Sequence, residues 1–352
     1  MPNEVLIRAE ILSSLAESIL KAMDVPAHKA RLVATSLVAA NLRGVDSHGI
    51  QLLPPYVDQL EAGDMSRTTD GHVVSESGCC LVYDGENGIG QPIAETCCAH
   101  GVRIAKQLGM SMVVARESNH FGAAAFWAQK YSSQGLIGIV MCNASPMVPP
   151  WQGKQPRFGT NPICMAVPGG RWLLDMATTT VALGKIYKAM INGQETIPES
   201  WAMDAEGVPT TSVATALSGL ISPLGGYKGS GLAMMAEILC AVLGGGAMSS
   251  QLGRIRERGR PVRCSQVFLG IDVARFMPLD EFTARMETLA ELVKSTPPAK
   301  GYTEVLLAGE PEWRMEEERR AGIPLEQGTW TLLTDTAARL KVPVPTGVKP
   351  QV

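Results

Sequence analysis

The stretch SMVVARESNHFGAAAFWAQKYSSQGLIGIVMC, Ser111 to Cys142, decides the fold class. It reads as a strand over Ser111 to Ala115, a polar turn Ser118-Asn119-His120-Phe121-Gly122, a helix over Ala123 to Gln134 and a strand over Ile137 to Cys142. Strands alternating with helices mark a mixed α/β domain. The same texture extends outward. A strand at Cys80 to Tyr83 and a helix at Pro92 to Leu108 precede the stretch, and strands at Ile163 to Val167 and Trp172 to Met176 follow it. Further on come a helix from about Ser230 to Leu243, stopped by Gly244-Gly245-Gly246, a strand at Gln266 to Asp272 and a helix at Leu279 to Lys294. The Ser230 to Leu243 helix is apolar nearly all round, so it is expected in the core.

Before about Gly71 the pattern is helical. Apolar residues recur on one face between Ile7 and Met23, a second helix fits Lys29 to Leu42, and a third runs from Pro54 to Glu61 and stops at Gly63. Near the end, Glu310 to Arg320 and Thr331 to Leu340 read as helices, followed by a loose tail from Val342 with three prolines. The expected organisation is a helical domain over 1–70 completed by C-terminal helices over 310–341, a mixed α/β domain over 71–309 and a tail over 342–352.

Composition narrows the function. Of 352 residues, 45% are hydrophobic and 18% charged, a globular balance without room for extensive disorder. The formal charge is only −3, so no broad positive field is available for nucleic acid. The basic cluster Arg254, Arg256, Arg258, Arg260 and Arg263 reads as a solvated connecting segment. Eight cysteines lie in apolar runs or as the pairs Cys79-Cys80 and Cys97-Cys98, without a CxxC, which reads as reduced thiols of a cytoplasmic protein. Met1 to Arg8 lacks the order of a secretion signal. The longest apolar stretch, Leu232 to Leu243, contains Glu237 and is shorter than the about 20 residues a membrane span needs.

Five runs look like the rims of a site. His120 follows a strand and precedes a helix, which puts it at a strand's carboxyl end, where open α/β sheets place ligands. An imidazole passes protons near neutrality; a histidine bonded to a backbone carbonyl in a turn fits the position too. In Asp46-Ser47-His48-Gly49 the serine and histidine are adjacent, and neighbouring side chains usually diverge, so a direct nucleophile and base pair is disfavoured there. His48 alone fits a ligand or proton role, and Ser47 and His48 equally fit helix caps. Gly225-Gly226-Tyr227-Lys228-Gly229-Ser230-Gly231 opens a helix and suits an anion, or is simply a turn needing positive φ. Arg157-Phe158-Gly159-Thr160-Asn161-Pro162 and Asp175-Met176-Ala177-Thr178-Thr179 are the remaining two, the latter at a strand end where its carboxylate should meet His120. No GxGxxG follows a strand and no GxxxxGK[ST] occurs. The five histidines lack metal-ligand spacing, so no metal is expected.

Taken in order, Arg43 to Gly49, Ser118 to Gly122, Phe158 to Pro162, Asp175 to Thr179 and Lys228-Gly229 resemble the type-2 malate/L-lactate dehydrogenase family over about residues 5 to 340. The resemblance implies an oxidoreductase that binds NAD or NADP on a non-Rossmann mixed sheet, with a smaller helical domain and a homodimeric assembly. It implies His120 as the acid/base, and, from an imine-reducing branch, Ser47, His48 and Asp175 as a proton-relay set. Asp175, Met176, Ala177, Lys228, Gly229, Gly309 and Glu310 match cofactor contacts, and Thr160 a substrate contact. Where many members carry a carboxylate-binding arginine, four residues after His48, this chain has Leu52. Arg43, Arg157 or Lys185 is then expected to bind the carboxylate, or the substrate to be more apolar. The expected activity interconverts a 2-hydroxycarboxylate and a 2-oxo acid. The alternatives are reduction of a cyclic imino acid and a non-catalytic ligand-binding relative.

Overall fold

The computed structural model describes residues 4–191, 193–345 and 349–350. The chain begins with β1 (Glu4–Ile7), then α1 (Ala9–Ala22), α2 (Ala27–Leu42) and α3 (Leu53–Ala62), with two single 3-10 turns, Asp46–His48 and Ile50–Leu52, between the last two helices. The apolar stripe expected along the first helix, including Leu12, Leu15, Ile19 and Leu20, packs on α2 and α3.

Next come β2 (His72–Ser77), β3 (Cys80–Asp84), α4 (Gly90–Leu108), β4 (Met110–Ser118), α5 (Ala124–Ser132), β5 (Leu136–Cys142), β6 (Ile163–Ala166) and β7 (Leu173–Met176). A small unit follows, made of α6 (Leu183–Ile191), β8 (Ala202–Met203), β9 (Pro209–Thr210), α7 (Val213–Ser218) and β10 (Leu220–Ile221). Then come α8 (Tyr227–Glu237), continued by a π-helical segment Ile238–Val242, β11 (Cys264–Asp272) and α9 (Leu279–Lys294). The chain closes with α10 (Glu310–Glu318), β12 (Ile323–Glu326), α11 (Gln327–Arg339) and β13 (Lys349–Pro350).

Seven strands form one sheet in the order β2-β3-β4-β11-β5-β6-β7. Within it β3 and β4 run parallel, and the other neighbours are antiparallel. Side chains alternate across the sheet as the strand pleat requires. Val113, Ala115, Val140, Cys142 and Phe268 face the layer of α4 and α5, while Val114, Met141 and Val267 face α8 and Cys240. A nucleotide-binding sheet of parallel βαβ units would need crossover helices between consecutive parallel strands; this antiparallel order is consistent with the missing glycine fingerprint.

A separate apolar cluster joins α1, α2 and α3 to Ile323, Leu325, Leu333, Ala337 and Val342 from the far end of the chain. β1 pairs with β12 from Glu4↔Glu326 to Ile7↔Ile323, which places two short strands inside what reads in sequence as helical territory. In the segment over 342–352, Val342 is buried and β13 pairs with β1, while 346–348 and 351–352 lie outside the described residues.

The helix expected in the core, α8 with its π continuation, is covered on one side only. Ser230, Ala233, Ala236 and Cys240 are buried, whereas Met234, Ile238 and Val242, spaced every four residues, are about half exposed. One chain supplies a single covering layer, the sheet, so the opposite stripe faces outward. No helix among the described residues is long and apolar enough to cross a membrane.

Candidate active site

Where the end of α2, the first 3-10 turn, α5, β7 and the start of α10 converge, they enclose a cavity of about 690 Å³. His120 stands on its wall just beyond the end of β4. Its loop is clamped by the buried Asn119, whose side-chain amide donates to the Asn87 and Gly88 carbonyls at 3.1 and 2.9 Å. The Asn119 carbonyl in turn accepts from Gln266 Nε2 at 2.9 Å. Helix α4 starts against this loop at Gly90, where a Cβ would lie 2.3–2.4 Å from the Asn119 and His120 carbonyl oxygens. Only glycine permits that approach.

His120 Nδ1 lies 2.8 Å from the Tyr56 hydroxyl and accepts from the Gly122 N–H at 3.3 Å. Gln91 Nε2 donates to the same hydroxyl at 3.0 Å. Burial holds His120 far below the ordinary imidazole range, at about 3, with His48 and Arg256 adding to the depression. The imidazole is therefore neutral at physiological pH.

His48 ends the first 3-10 turn and lines the same cavity, as does Ser47. Contrary to the expected divergence, Ser47 Oγ and His48 Nδ1 are 2.9 Å apart, because the tight turn folds the two side chains onto one another. Burial also lowers the pKa of His48. Asp46 of the same motif belongs to the scaffold. It is held by Arg319 at 2.8 and 3.0 Å and by Asn41 at 2.6 Å.

Arg43, at the end of α2, is only 8% exposed, lines the cavity, and leaves Nε and Nη1 without a hydrogen-bond partner. A buried guanidinium with free donors is costly unless an anion arrives. Asp175, at the end of β7, accepts from the Ala125 N–H at 2.8 Å. Burial pushes its carboxyl up to about 6; Arg43 and the Ala125 N–H work against that rise, and the cavity-lining Glu312 adds to it.

Met176, Ala177, Thr160 and Gly309 also line the cavity. Several other residues singled out in sequence do not. Leu52 is buried in the helical core, because the chain between His48 and Leu52 is two 3-10 turns separated by an extended Gly49 rather than one α-helical turn that would put both on a common face. Arg157 and Lys185 are exposed and outside the cavity lining. Lys228 is exposed and the buried Gly229 packs against Leu224 and the Thr178 carbonyl, both outside the lining of this chain. Glu310 faces Lys294, Arg314 and the Leu307 N–H, which hold its carboxyl down to about 2. It serves as a clasp for the start of α10.

The basic segment is more than a solvated connection. Arg258 pairs with Asp58 and Glu61 of α3, and Arg263 with Glu117 at 2.7 Å, while Ile255 and Val262 line the cavity. Tyr56, Gln91, Arg256 and Glu312 are the site residues that sequence reasoning missed. Tyr56 and Gln91 sit inside helices and read as ordinary core and surface positions, so no local signal marks them.

A nicotinamide dinucleotide fits what is present. The start of α5 opens on the cavity with small side chains; its Gly122 and Ala125 N–H groups are taken by His120 Nδ1 and Asp175, which leaves those of Ala123 and Ala124 for a polar group of the cofactor. The lining is otherwise largely apolar, with Phe121, Phe126, Met147, Leu173, Leu183 and Leu306, as suits rings and a small organic acid.

The chain is similar along most of its length to dehydrogenases and to one reductase. A malate dehydrogenase of Pyrococcus horikoshii is 35% identical over 351 residues, covering 97% of each chain, and its solved structure superposes with a TM-score of 0.89. An L-sulfolactate dehydrogenase of Methanocaldococcus jannaschii is 34% identical over 95% of this chain and 97% of its own, with a TM-score of 0.91 for the solved structure. A delta1-piperideine-2-carboxylate reductase of Pseudomonas syringae is 26% identical over 94% of this chain and 99% of its own, with a TM-score of 0.84. The family model described as malate/L-lactate dehydrogenase matches residues 7–334, and the chain belongs to that family as a 2-hydroxyacid dehydrogenase.

Proposed function

We propose that the cavity interconverts a 2-hydroxycarboxylate and a 2-oxo acid with NAD(H) or NADP(H), His120 acting as the acid/base. The observation that carries this reading is one cavity wall holding a neutral, hydrogen-bonded imidazole and a buried arginine with two free donors. The bound nicotinamide supplies or takes up the hydride. Arg43 binds the substrate carboxylate and so orients the reacting carbon. His120 Nε2 exchanges a proton with the substrate oxygen, where charge develops as hydride moves. Thr160 adds a substrate contact. Asp175, Met176, Ala177 and Gly309 would hold the cofactor.

A second reading has a specific observation behind it. The Ser47–His48 hydrogen bond and a carboxyl near 6 at Asp175 lie in the same cavity, which suits proton delivery to a cyclic imino acid such as the Pseudomonas syringae relative's name describes. The test is to follow nicotinamide absorbance with NADH and NADPH in parallel against 2-oxo acids and cyclic imino acids. Oxidation of cofactor by 2-oxo acids supports the first reading, and consumption of imino acids alone replaces it with the second.

We propose further that the protein works as a cytoplasmic homodimer. The eight described cysteines are all free, as a reducing compartment implies, and the exposed Met234, Ile238 and Val242 stripe offers an apolar face for a second copy. In this arrangement the helical unit with 310–341 closes one side of the cavity and 71–309 the other.

A further inference from the structure

We infer that Tyr56, oriented by Gln91, is a positioning residue that fixes the proton of neutral His120 on Nε2. The inference rests on His120 as the acid/base, as proposed above, and adds which nitrogen carries the proton and what sets it. Tyr56 and Gln91 are fully buried, and neither lines the cavity, so both act through the histidine.

The direction of the chain follows from its one donor that cannot turn round. The Gly122 backbone N–H points at His120 Nδ1, so that nitrogen is an acceptor. The Tyr56 hydroxyl at 2.8 Å must then donate to it, and the phenol oxygen is left to accept from Gln91 Nε2 at 3.0 Å. Nδ1 is thereby occupied from the scaffold side, and the proton of the neutral ring sits on the opposite edge, at Nε2. The phenol cannot become a competing acid, because burial raises its pKa well above the ordinary range. The other titratable and charged groups facing His120 are His48 and Arg256. Both disfavour a second positive charge.

Function follows from the tautomer. An Nε2–H donates a hydrogen bond to the carbonyl oxygen of a 2-oxo acid, so the resting site is set to receive the oxidised substrate. A hydroxy acid needs a lone pair on Nε2 instead. Then Nδ1 carries the proton, the long Gly122 N–H contact at 3.3 Å is given up, the phenol oxygen accepts from Nδ1, and the hydroxyl hydrogen turns to the His120 carbonyl oxygen, 3.5 Å away. Tyr56 thus selects the resting tautomer through its 2.8 Å contact and turns only when a hydroxy acid binds; with phenylalanine only the 3.3 Å Gly122 contact is left to select it.

The test is nitrogen-15 NMR of protein labelled in histidine, with His120→Asn used to assign the ring and the measurement made above the titration range of free imidazole. Wild type is expected to give a protonated Nε2 and an unprotonated Nδ1. Tyr56→Phe, which keeps the ring packing, is expected to give a mixture of tautomers and to weaken binding of oxamate, an unreactive 2-oxo acid isostere, by about five- to tenfold. A protonated Nδ1 in wild type, as a turned-over Gln91 amide would produce, overturns the inference. So does a Tyr56→Phe spectrum unchanged from wild type. The spectrum needs no turnover, so it separates failure of the tautomer from failure of the proposed reaction.

Discussion

The rings of His48 and His120 are stacked, 5.6 Å between centroids and 29° from parallel. Two imidazoles at that distance in a buried site cannot both be charged, and His48 is one of the groups that hold His120 low. Replacing His48 by Asn is therefore expected to raise the pKa of His120 toward its ordinary value. The pH profile of kcat/KM checks this, and its acid limb should move to higher pH.

Arg43 is expected to trade stability for binding. With Nε and Nη1 unpartnered, Arg43→Met removes a desolvated charge from the free enzyme while keeping much of the packing. Thermal unfolding should occur at an equal or higher temperature, while KM for the acid substrate rises by about tenfold or more, the loss of a charged hydrogen bond. Arg43→Lys should not restore the wild-type KM, because an ammonium lacks the two-pronged fit to a carboxylate.

Asp175 sets a stability window. Its carboxyl moves from 3.8 in an unfolded chain to about 6 in the folded protein, so between those values the native state holds the extra proton. Its contribution to stability is present at low pH and lost as pH rises through about 6, a loss of about 3 kcal/mol by neutrality. His120 has the opposite sign in an overlapping range. Its folded value of about 3 lies below 6.5, so stability falls as the unfolded chain takes up the proton on acidification. Asp175→Asn should leave only the His120 effect, and urea unfolding at several pH values should then show stability rising with pH more steeply than in wild type.

Leu52 belongs to the helical core, so Leu52→Arg is expected to destabilise the fold rather than to redesign the site. Burying an unpaired guanidinium there should cost about 3 kcal/mol or more. The checks are a lowered melting temperature and unchanged relative rates across 2-oxo acids of increasing chain length.

The apolar stripe on α8 predicts assembly. Ile238→Glu places a charge among Met234 and Val242, and sedimentation should shift from a dimer toward a monomer.

Much of this architecture is readable from residue order. The helix Leu279–Lys294 and the strands on either side of His120 follow from apolar spacing and turn residues, which are local signals. The strands Glu4–Ile7 and Ile323–Glu326 are not local. Each is four residues long and stabilised by pairing with the other across more than three hundred positions. Leu52 misled for a related reason. A spacing of four implies a shared face only in an α-helix, and Gly49 breaks that continuity. Ser47 and His48 were legible as site residues, but their contact depends on a turn geometry that adjacency does not reveal. Tyr56 and Gln91 are the deepest omission, since the Tyr56–His120 and Gln91–Tyr56 hydrogen bonds span 64 and 35 positions and leave no mark in either helix's pattern.

The most direct test of the account is turnover of His120→Ala, followed by nicotinamide absorbance with a 2-oxo acid that the wild-type enzyme reduces, beside cofactor titration by tryptophan fluorescence. The account predicts turnover lowered by about 10²–10⁴-fold with cofactor affinity unchanged. Turnover near that of wild type would contradict it and transfer the acid/base role to His48.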